Sequence, residues 1–303
     1  MRICVIMNEN AGSADQAELL HESMGAHASV TCRRTTEKGH GIELAEQAAR
    51  EGFDVVAAAG GDGTINEVVN GLMRADDRPI LGVIPLGTGN DLARMLDIPL
   101  KDAAAALDLI ETGERRWLDT YRMETPSTSC YGINAAAGGF SGKVNEALTS
   151  ELKSNWGPIA YLIGAASVIP EISDYDSYLT IDDGVPELIR AFNVVIANGR
   201  TIAGGKRISP LSNPEDGLLD VVIIERGSVV EMGDLAARLV AGNLFASDLV
   251  SHRRARKVHL ESEPRMWFNL DGELLTQEPI TIEVQPRSIE VVVGPDYTPE
   301  VSD

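Results

Sequence analysis

The stretch Gly60-Gly61-Asp62-Gly63-Thr64-Ile65-Asn66-Glu67 constrains this chain more than any other. It follows a wholly apolar segment, Val55-Val56-Ala57-Ala58-Ala59, that reads as a buried strand. Beyond it Ile65, Val68, Val69, Leu72 and Met73 recur at helical spacing, so a helix follows. Glycines between a strand and a helix let the backbone turn sharply and approach a ligand closely. The new helix offers unpaired N–H groups and the positive end of its dipole to an anion, so the arrangement is a phosphate cradle. It is neither the dinucleotide fingerprint nor the Walker sequence: Lys is absent and Asp62 stands at the centre. A carboxylate cannot solvate a phosphate directly. Asp62 therefore acts through a cation or by ordering the loop's N–H groups, or else simply caps the helix.

The segments around this loop alternate in type. Ile3 to Met7 reads as a first strand and runs into the turn-rich Asn8-Glu9-Asn10-Ala11-Gly12-Ser13. Ala14 to Met24 reads as a helix and Ser29 to Thr31 as a short strand. Gly39 to Glu51 reads as a helix with Ile42, Ala45, Ala48 and Ala49 on one face. The strand Ile80 to Ile84 ends in a second glycine loop, Pro85-Leu86-Gly87-Thr88-Gly89-Asn90-Asp91, before helical Leu92 to Leu96. Ala103 to Ile110 is the last clear helix of this region. Such alternation predicts an α/β domain with a parallel sheet covered on both faces. Loops at the carboxyl ends of neighbouring strands build the crevice of such a sheet, and both glycine loops lie there.

The pattern changes near Gly113. From Arg115 on, strand-like runs dominate, at 115–124, 131–134, 177–181, 188–197, 218–224, 257–260, 265–269, 279–284 and 288–293. Helical runs interrupt them only near 142–150, 158–168 and 229–241. This predicts a second, mainly antiparallel β-sandwich domain. We place the first domain at 1–114 and the second at 115–287.

Charge narrows the partners. Lys and Arg number 26 against 46 Asp and Glu, a formal net charge of -20, which opposes nonspecific nucleic-acid binding. Cys4, Cys32 and Cys130 are odd in number and lack metal-ligand spacing, so they read as reduced thiols of a cytosolic protein. Met1 to Met7 is too short an apolar stretch for a signal peptide, and no run reaches the roughly 20 apolar residues of a membrane span. One dense basic cluster stands out, His252-Arg253-Arg254-Ala255-Arg256-Lys257. It reads either as a solvated face or as contact with anionic headgroups, at roughly 1 kcal/mol per basic residue. In the second case the apolar stretch Leu239 to Phe245 would insert shallowly.

The two glycine loops, the first with Asn66-Glu67 and the second continuing through Leu92-Ala93-Arg94, resemble the catalytic domain of the diacylglycerol kinase family. That family includes the bacterial soluble lipid kinases and the sphingosine and ceramide kinases. The first loop alone is shared with NAD kinases and, loosely, phosphofructokinases; the second is far more specific. The resemblance continues through Asn198-Gly199, Gly204-Gly205, Ile208-Ser209-Pro210, Asp216-Gly217-Leu218-Leu219-Asp220 and Asn269-Leu270-Asp271-Gly272-Glu273, and so spans nearly the whole chain. It implies an NAD-kinase-like nucleotide domain, a β-sandwich, and an active site in the cleft between them. In bacterial members the last strand, here 288–294, returns to the first domain. The implied activity is transfer of the ATP γ-phosphate to a membrane-lipid hydroxyl, that of diacylglycerol or a related glycerolipid. The implied setting is cytoplasmic, peripheral at the inner membrane face. The alternatives are an NAD-kinase-like phosphotransferase and a non-catalytic lipid-binding member of the fold. Headgroup preference is not readable, and a homodimer is left open.

Residue by residue, the resemblance implies that Gly60, Gly61, Asp62, Gly63, Thr64, Asn66 and Glu67 hold the ATP phosphates. Gly87, Thr88, Gly89, Asn90 and Asp91 join them, with Asn8 and Gly12 from the first loop and the Thr36 region. The first loop departs from the family's Asn-Pro-x-Ser/Ala-Gly, because Glu9 replaces the proline and adds negative charge. Thr88, between two glycines, has little packing to do and reads as a phosphate contact. For Asn90 and Asp91 helix N-capping is the alternative, and for Asp91 the two roles stand equally. The resemblance implies a structural Mg²⁺ on Asp216 with the carbonyls of Asn213 and Leu218; a plain turn before a strand is the alternative. The family's catalytic base matches Glu273, with Asp271 beside it, although Asp271-Gly272 alone reads as a hairpin turn. A carboxylate is a weak base toward an alcohol, yet it can orient the hydroxyl and take the proton late in transfer.

Overall fold

A computed structural model describes residues 1–8, 14–26, 29–139 and 174–299. The apolar run at the start forms β1 (Ile3–Met7), buried throughout. It lies between β2 (Val30–Arg34) and β3 (Val55–Gly60), with β4 (Ile80–Pro85) beyond β3, all parallel. The connecting helices are α1 (Ala14–Ala26), α2 (His40–Arg50), α3 (Asp62–Leu72), α4 (Asp91–Met95) and α5 (Ala103–Thr112). β1, β3 and β4 are apolar at almost every position because a strand covered on both faces has no wet side. Their side chains form one core with Ala45, Ala48, Ile65, Val68, Val69, Leu107 and Ile110 of the helices.

This sheet does not stop at β4. The strand Ile280–Val293 lies parallel to β4 through Val291 and Leu81. Along its other side it pairs antiparallel with Glu114–Glu124, and its first residues also pair with Lys257–Glu263. One long strand thus carries the parallel sheet into the antiparallel layer of the second domain, and the joint sheet has ten strands among the described residues. The apparent break at Pro286 between two sequence runs is an irregularity inside this strand. The register shifts between Gln285 and Ile289, with Arg287 at φ 46°. Proline cannot donate to a ladder, so the strand bends there and pairing resumes beyond it.

A second, antiparallel sheet of six strands packs against that layer, in the order 250–255, 219–224, 193–197, 135–139, 268–270 and 273–276. Tyr121, Tyr175, Leu179, Ile196, Val221, Phe268 and Ile282 fill the space between the sheets. The outer face is covered by α6 (Val229–Ala241), which starts in a capping box between Ser228 and Glu231 and ends at Gly242, φ 74°. Leu235 and Leu239 meet Val195 and Val222 there.

Several details differ from the sequence expectation, among them the strands Val250–Ala255 and Glu273–Thr276, which fall outside the expected runs. The single strand expected over 188–197 is two strands, Glu187–Ala191 and Asn193–Ala197, that belong to different sheets. Ala135–Gly139 is a central strand without a β-branched residue; Phe268 lies over Gly138, where a side chain would collide with its ring. The segment Lys257–Glu263 runs beyond 257–260 because it pairs with Tyr175–Ile181. The helical runs expected at 142–150 and 158–168 lie outside the described residues. Among the described residues no helix is long and apolar enough to cross a membrane.

Candidate active site

β3 ends at Gly60 and α3 begins at Asp62, with Gly61 as its N-cap residue. No side chain caps α3, which leaves its first-turn N–H groups to an anion. Asp62 is therefore not the cap. Its Oδ1 accepts the N–H of Asp91 at 2.9 Å and so ties the first glycine loop to the second. Burial, with the charge of Asp91 beside it, pushes the Asp62 carboxyl up to about 6. The two loops meet backbone to backbone: a Cβ on Gly87 would lie 2.5 Å from the Gly61 Cα. The N–H groups of Leu86 and Gly87 both donate to the Gly60 carbonyl, at 2.9 and 3.3 Å. Gly89 passes over Asp62, so that a Cβ there would lie 2.6 Å from Asp62 Oδ2. Thr64 is buried beneath Gly60, while Thr88 is exposed on the lip of the second loop. Asn8, at the end of β1, donates its N–H to the Ala59 carbonyl at 3.0 Å and stands at the same end of the sheet. Gly12 lies outside the described residues.

Asn90 and Asp91 do not cap α4 either. Asn90 adopts φ 52°, and its Nδ2 closes the loop on the Gly87 carbonyl at 2.6 Å. Asp91 sends its carboxylate across to the second domain, accepting the N–H groups of Gly204 at 3.0 Å and Gly205 at 2.6 Å. These glycines have φ 78° and 95°, which turn both N–H groups toward one carboxylate. Asp91 is a clamp between domains, with a backbone donor of the second domain on each of its oxygens.

Asn66 and Glu67 likewise face away from a phosphate role. Asn66 Nδ2 donates to Asp271 Oδ2 at 2.8 Å and to the Tyr131 carbonyl at 3.2 Å. Asn70, one turn later, bonds both the N–H and the carbonyl of Tyr131, each at 2.8 Å. Sequence reasoning missed Asn70; its spacing of four residues from Asn66 on α3 was the available signal. Glu67 accepts the N–H groups of Gly39 at 2.7 Å and Gly41 at 2.9 Å, fixing the turn that opens α2. In that turn Thr36 presents its N–H and Oγ1 to His40 Nδ1, at 3.1 and 3.0 Å.

The two carboxylates of the Asp271-Gly272-Glu273 turn separate sharply. Asp271 is buried, at φ 45°, and collects five donors. Oδ1 accepts from Tyr121 OH at 3.1 Å, Asn134 N–H at 3.0 Å and Ala135 N–H at 2.9 Å. Oδ2 accepts from Asn66 Nδ2 at 2.8 Å and Ile133 N–H at 3.1 Å. Burial pushes its carboxyl upward while these donors pull it down. Burial and the Asp271 charge raise the Tyr121 phenol, which stays a donor. With every acceptor position engaged, Asp271 holds the turn and is not a base. Glu273 stands at the cleft instead, with a Cβ position on Gly63 2.9 Å from its Oε1. Its Oε2 lies 2.7 Å from Lys38 Nζ, and its side chain is 42% exposed.

The expected metal turn lies apart from the glycine loops and beside the basic cluster. Asp216 Oδ1 accepts the Leu218 N–H at 3.0 Å and its Oδ2 is ion-paired with Arg254. The Asn213 carbonyl accepts the Asp216 N–H at 3.4 Å. A carboxylate with carbonyls suits a hard cation, but here Arg254 supplies the positive charge. As arranged, these residues do not fit Mg²⁺. Among the described residues no group of three or more His, Cys, Asp or Glu side chains is placed to hold a metal. The basic cluster is likewise not a free cationic face: His252 pairs with Asp220, Arg253 with Glu187 and Lys257 with Glu283. Leu239 and Leu244 are buried in the core and Phe245 stacks on His252 at 5.0 Å, so that stretch is packed rather than poised to insert.

Comparison with known proteins identifies the family and the fold. Residues 2–123 match the family model "Diacylglycerol kinase catalytic domain", and residues 134–293 match "YegS C-terminal NAD kinase beta sandwich-like domain". The chain is 32% identical over 288 residues to a diacylglycerol kinase of Bacillus subtilis, covering 95% of this chain and 93% of that one. It is 34% identical over 271 residues to a diacylglycerol kinase of Staphylococcus aureus, covering 89% and 84%. A crystal structure of a diacylglycerol kinase from Bacillus anthracis superposes with a TM-score of 0.75 at 24% identity, covering 98% of each chain. An NAD kinase of Archaeoglobus fulgidus in complex with ATP shares the fold at a TM-score of 0.55 and 17% identity, covering 98% of this chain and 95% of that one. From its first strand to its last, this chain is a kinase that belongs to the diacylglycerol kinase family.

Proposed function

We propose that the protein transfers the γ-phosphate of ATP to the hydroxyl of a membrane lipid, diacylglycerol or a related glycerolipid. The observation that carries this reading is the position of Glu273 against Gly63, in the first turn of the uncapped helix α3. A phosphate on that helix end and a hydroxyl on that carboxylate are neighbours. In the transfer, the hydroxyl oxygen bonds to the γ-phosphorus and the bond from that phosphorus to the β,γ-bridging oxygen breaks. ADP leaves with the bonding electrons, and the hydroxyl proton passes to Glu273 and then to water. Mg²⁺ arriving on the nucleotide supplies charge neutralisation at the phosphates. The chain's own residues do the positioning: α3 and the Gly87 loop hold the phosphates, Asp271 fixes the turn that carries the base, and Asp91 sets the second domain against the first.

A lipid acceptor places the protein at the inner membrane face as a peripheral, cytoplasmic enzyme, with no part for nucleic acid; a homodimer is compatible with this reading. The test is mass spectrometry of lipids phosphorylated by the purified protein with ATP and Mg²⁺, using a mixed lipid extract and pure diacylglycerol. Phosphatidic acid formed from diacylglycerol is the expected product. Phosphorylation of NAD without any lipid product would replace this reading with an NAD kinase. ATP binding without turnover on any lipid would leave a non-catalytic lipid-binding protein.

A further inference from the structure

Lys38 of the first domain reaches Glu273 of the second and so spans the cleft. It lies in the turn between β2 and α2, and its Nζ is 2.7 Å from Glu273 Oε2. The other oxygen of the same carboxylate is the one set against Gly63 at the start of α3. The turn that carries Lys38 is held by α3 itself, since Glu67 of that helix accepts the N–H groups of Gly39 and Gly41. The backbone of Lys38 is therefore fixed relative to the phosphate end of α3. Its side chain is not, being 76% exposed and, among the described residues, retained by the ion pair with Glu273. An exposed pair contributes little to stability, and the flexible lysine stem swings readily to a stronger anion.

We propose that Lys38 distinguishes nucleoside triphosphate from diphosphate at this site. It pairs with Glu273 while the cleft is empty and passes to the γ-phosphate when ATP is bound. That movement frees the Glu273 carboxylate for the acceptor hydroxyl. The geometry follows from the transfer itself. The hydroxyl oxygen must lie within hydrogen-bond reach of Glu273 and about 3–3.5 Å from the γ-phosphorus. The γ-phosphate oxygens then fall within a few ångströms of the present ammonium position, whereas the α- and β-phosphates lie beyond the transferred group. The inference rests on the kinase reading above.

The test measures binding of ADP and of a non-hydrolysable ATP analogue to the full-length protein by calorimetry, for wild type, Lys38→Met and Lys38→Arg. Wild type should bind the triphosphate more tightly than ADP. Lys38→Met should lose about tenfold in triphosphate affinity with ADP affinity unchanged, and Lys38→Arg should restore the preference. A Lys38→Met protein that keeps the wild-type preference overturns the inference. So does one that weakens both nucleotides equally, which would mark Lys38 as a support of the fold. A wild-type protein that binds neither nucleotide removes the kinase reading itself.

Discussion

Replacing Asp271 by Asn tests the division of labour inside one turn. The substitution keeps the side chain's size but turns one acceptor into a donor. Three donors converge on Oδ1 and two on Oδ2, so the amide should place its nitrogen at the Oδ2 position. Asn66 Nδ2 and the Ile133 N–H then each lose an acceptor and face a donor. Hydrogen bonds to a charged group contribute about 1.5–3 kcal/mol each, a gross loss of about 3–6 kcal/mol. Relief from burying a charge offsets part of this, leaving a net loss of about 2–4 kcal/mol. Urea unfolding should show that loss as a lowered midpoint at constant m-value. Turnover should fall as well, since Asp271 at φ 45° and Gly272 at φ 91° form the turn that aims Glu273. Glu273→Gln is the control: at an exposed position it should change stability by less than about 0.5 kcal/mol while lowering turnover by about 10²- to 10⁴-fold. An Asp271→Asn protein within about 0.5 kcal/mol of wild type would refute the acceptor hub. A Glu273→Gln protein with wild-type turnover would refute the base.

At Gly87 an added Cβ would meet the Gly61 backbone at 2.5 Å and Asn90 Oδ1 at 2.9 Å, where backbone cannot give way as a side-chain tip does. Gly87→Ala should cost about 1–3 kcal/mol and weaken ATP binding in calorimetry; unchanged binding would show that the two loops do not form one site. Asp62 titrates near 6 in the fold against an ordinary 3.8, so the native state holds the extra proton between those values. Relative to Asp62→Asn, wild-type stability should be full below about pH 4 and decline as pH rises through 6, by about 2–3 kcal/mol at 1.36 kcal/mol per unit. Parallel urea midpoints for the two proteins from pH 4 to 8 would contradict that. Because Arg253 and Arg254 are already paired with Glu187 and Asp216, replacing Arg253, Arg254 and Arg256 by Ala should change co-sedimentation with anionic vesicles less than twofold. A loss approaching the roughly 3 kcal/mol of three free cations would restore the headgroup reading.

The first domain was legible because each strand covered on both faces is continuously apolar and each helix shows one apolar stripe. Those periodicities report burial directly, and β1 and α2 match their expected spans closely. The second domain was less so. A strand of Ala and Gly such as Ala135–Gly139 carries no period, and the sheet change at Phe192 hides because the mostly exposed edge strand Glu187–Ala191 runs on into the buried Asn193–Ala197 with no Gly or Pro to mark the step. The glycine loops were legible for a different reason, since close backbone approach leaves no substitute for glycine. What each polar motif residue touches was not legible. Asn66 with Asp271, and Asp91 with Gly204 and Gly205, are pairs far apart in sequence, and no local pattern encodes a partner on another domain. The basic cluster misled for the same reason. Successive side chains of the strand Val250–Ala255 point to opposite faces, so His252, Arg253 and Arg254 reach Asp220, Glu187 and Asp216, acids that lie far off in sequence.

The carboxylates around the cleft divide by what their oxygens face. Glu67, Asp91 and Asp271 each hold N–H donors on both oxygens, and each joins elements that the chain alone leaves apart. Asp271, with five donors, has no acceptor site left for the proton of an alcohol, and Glu67 and Asp91 are each held in place by a donor on either oxygen. Glu273 faces a single exposed ammonium and the end of α3, so it can exchange partners at little cost. The positioning network and the reactive group are therefore distinct residues of the same motifs. The hydrogen bonds that set the domain spacing also set the distance from phosphate to base. A variant that loosens Asp91 or Asn66 should then lower turnover while leaving nucleotide affinity nearly intact, because the phosphate cradle lies wholly within the first domain and the base does not.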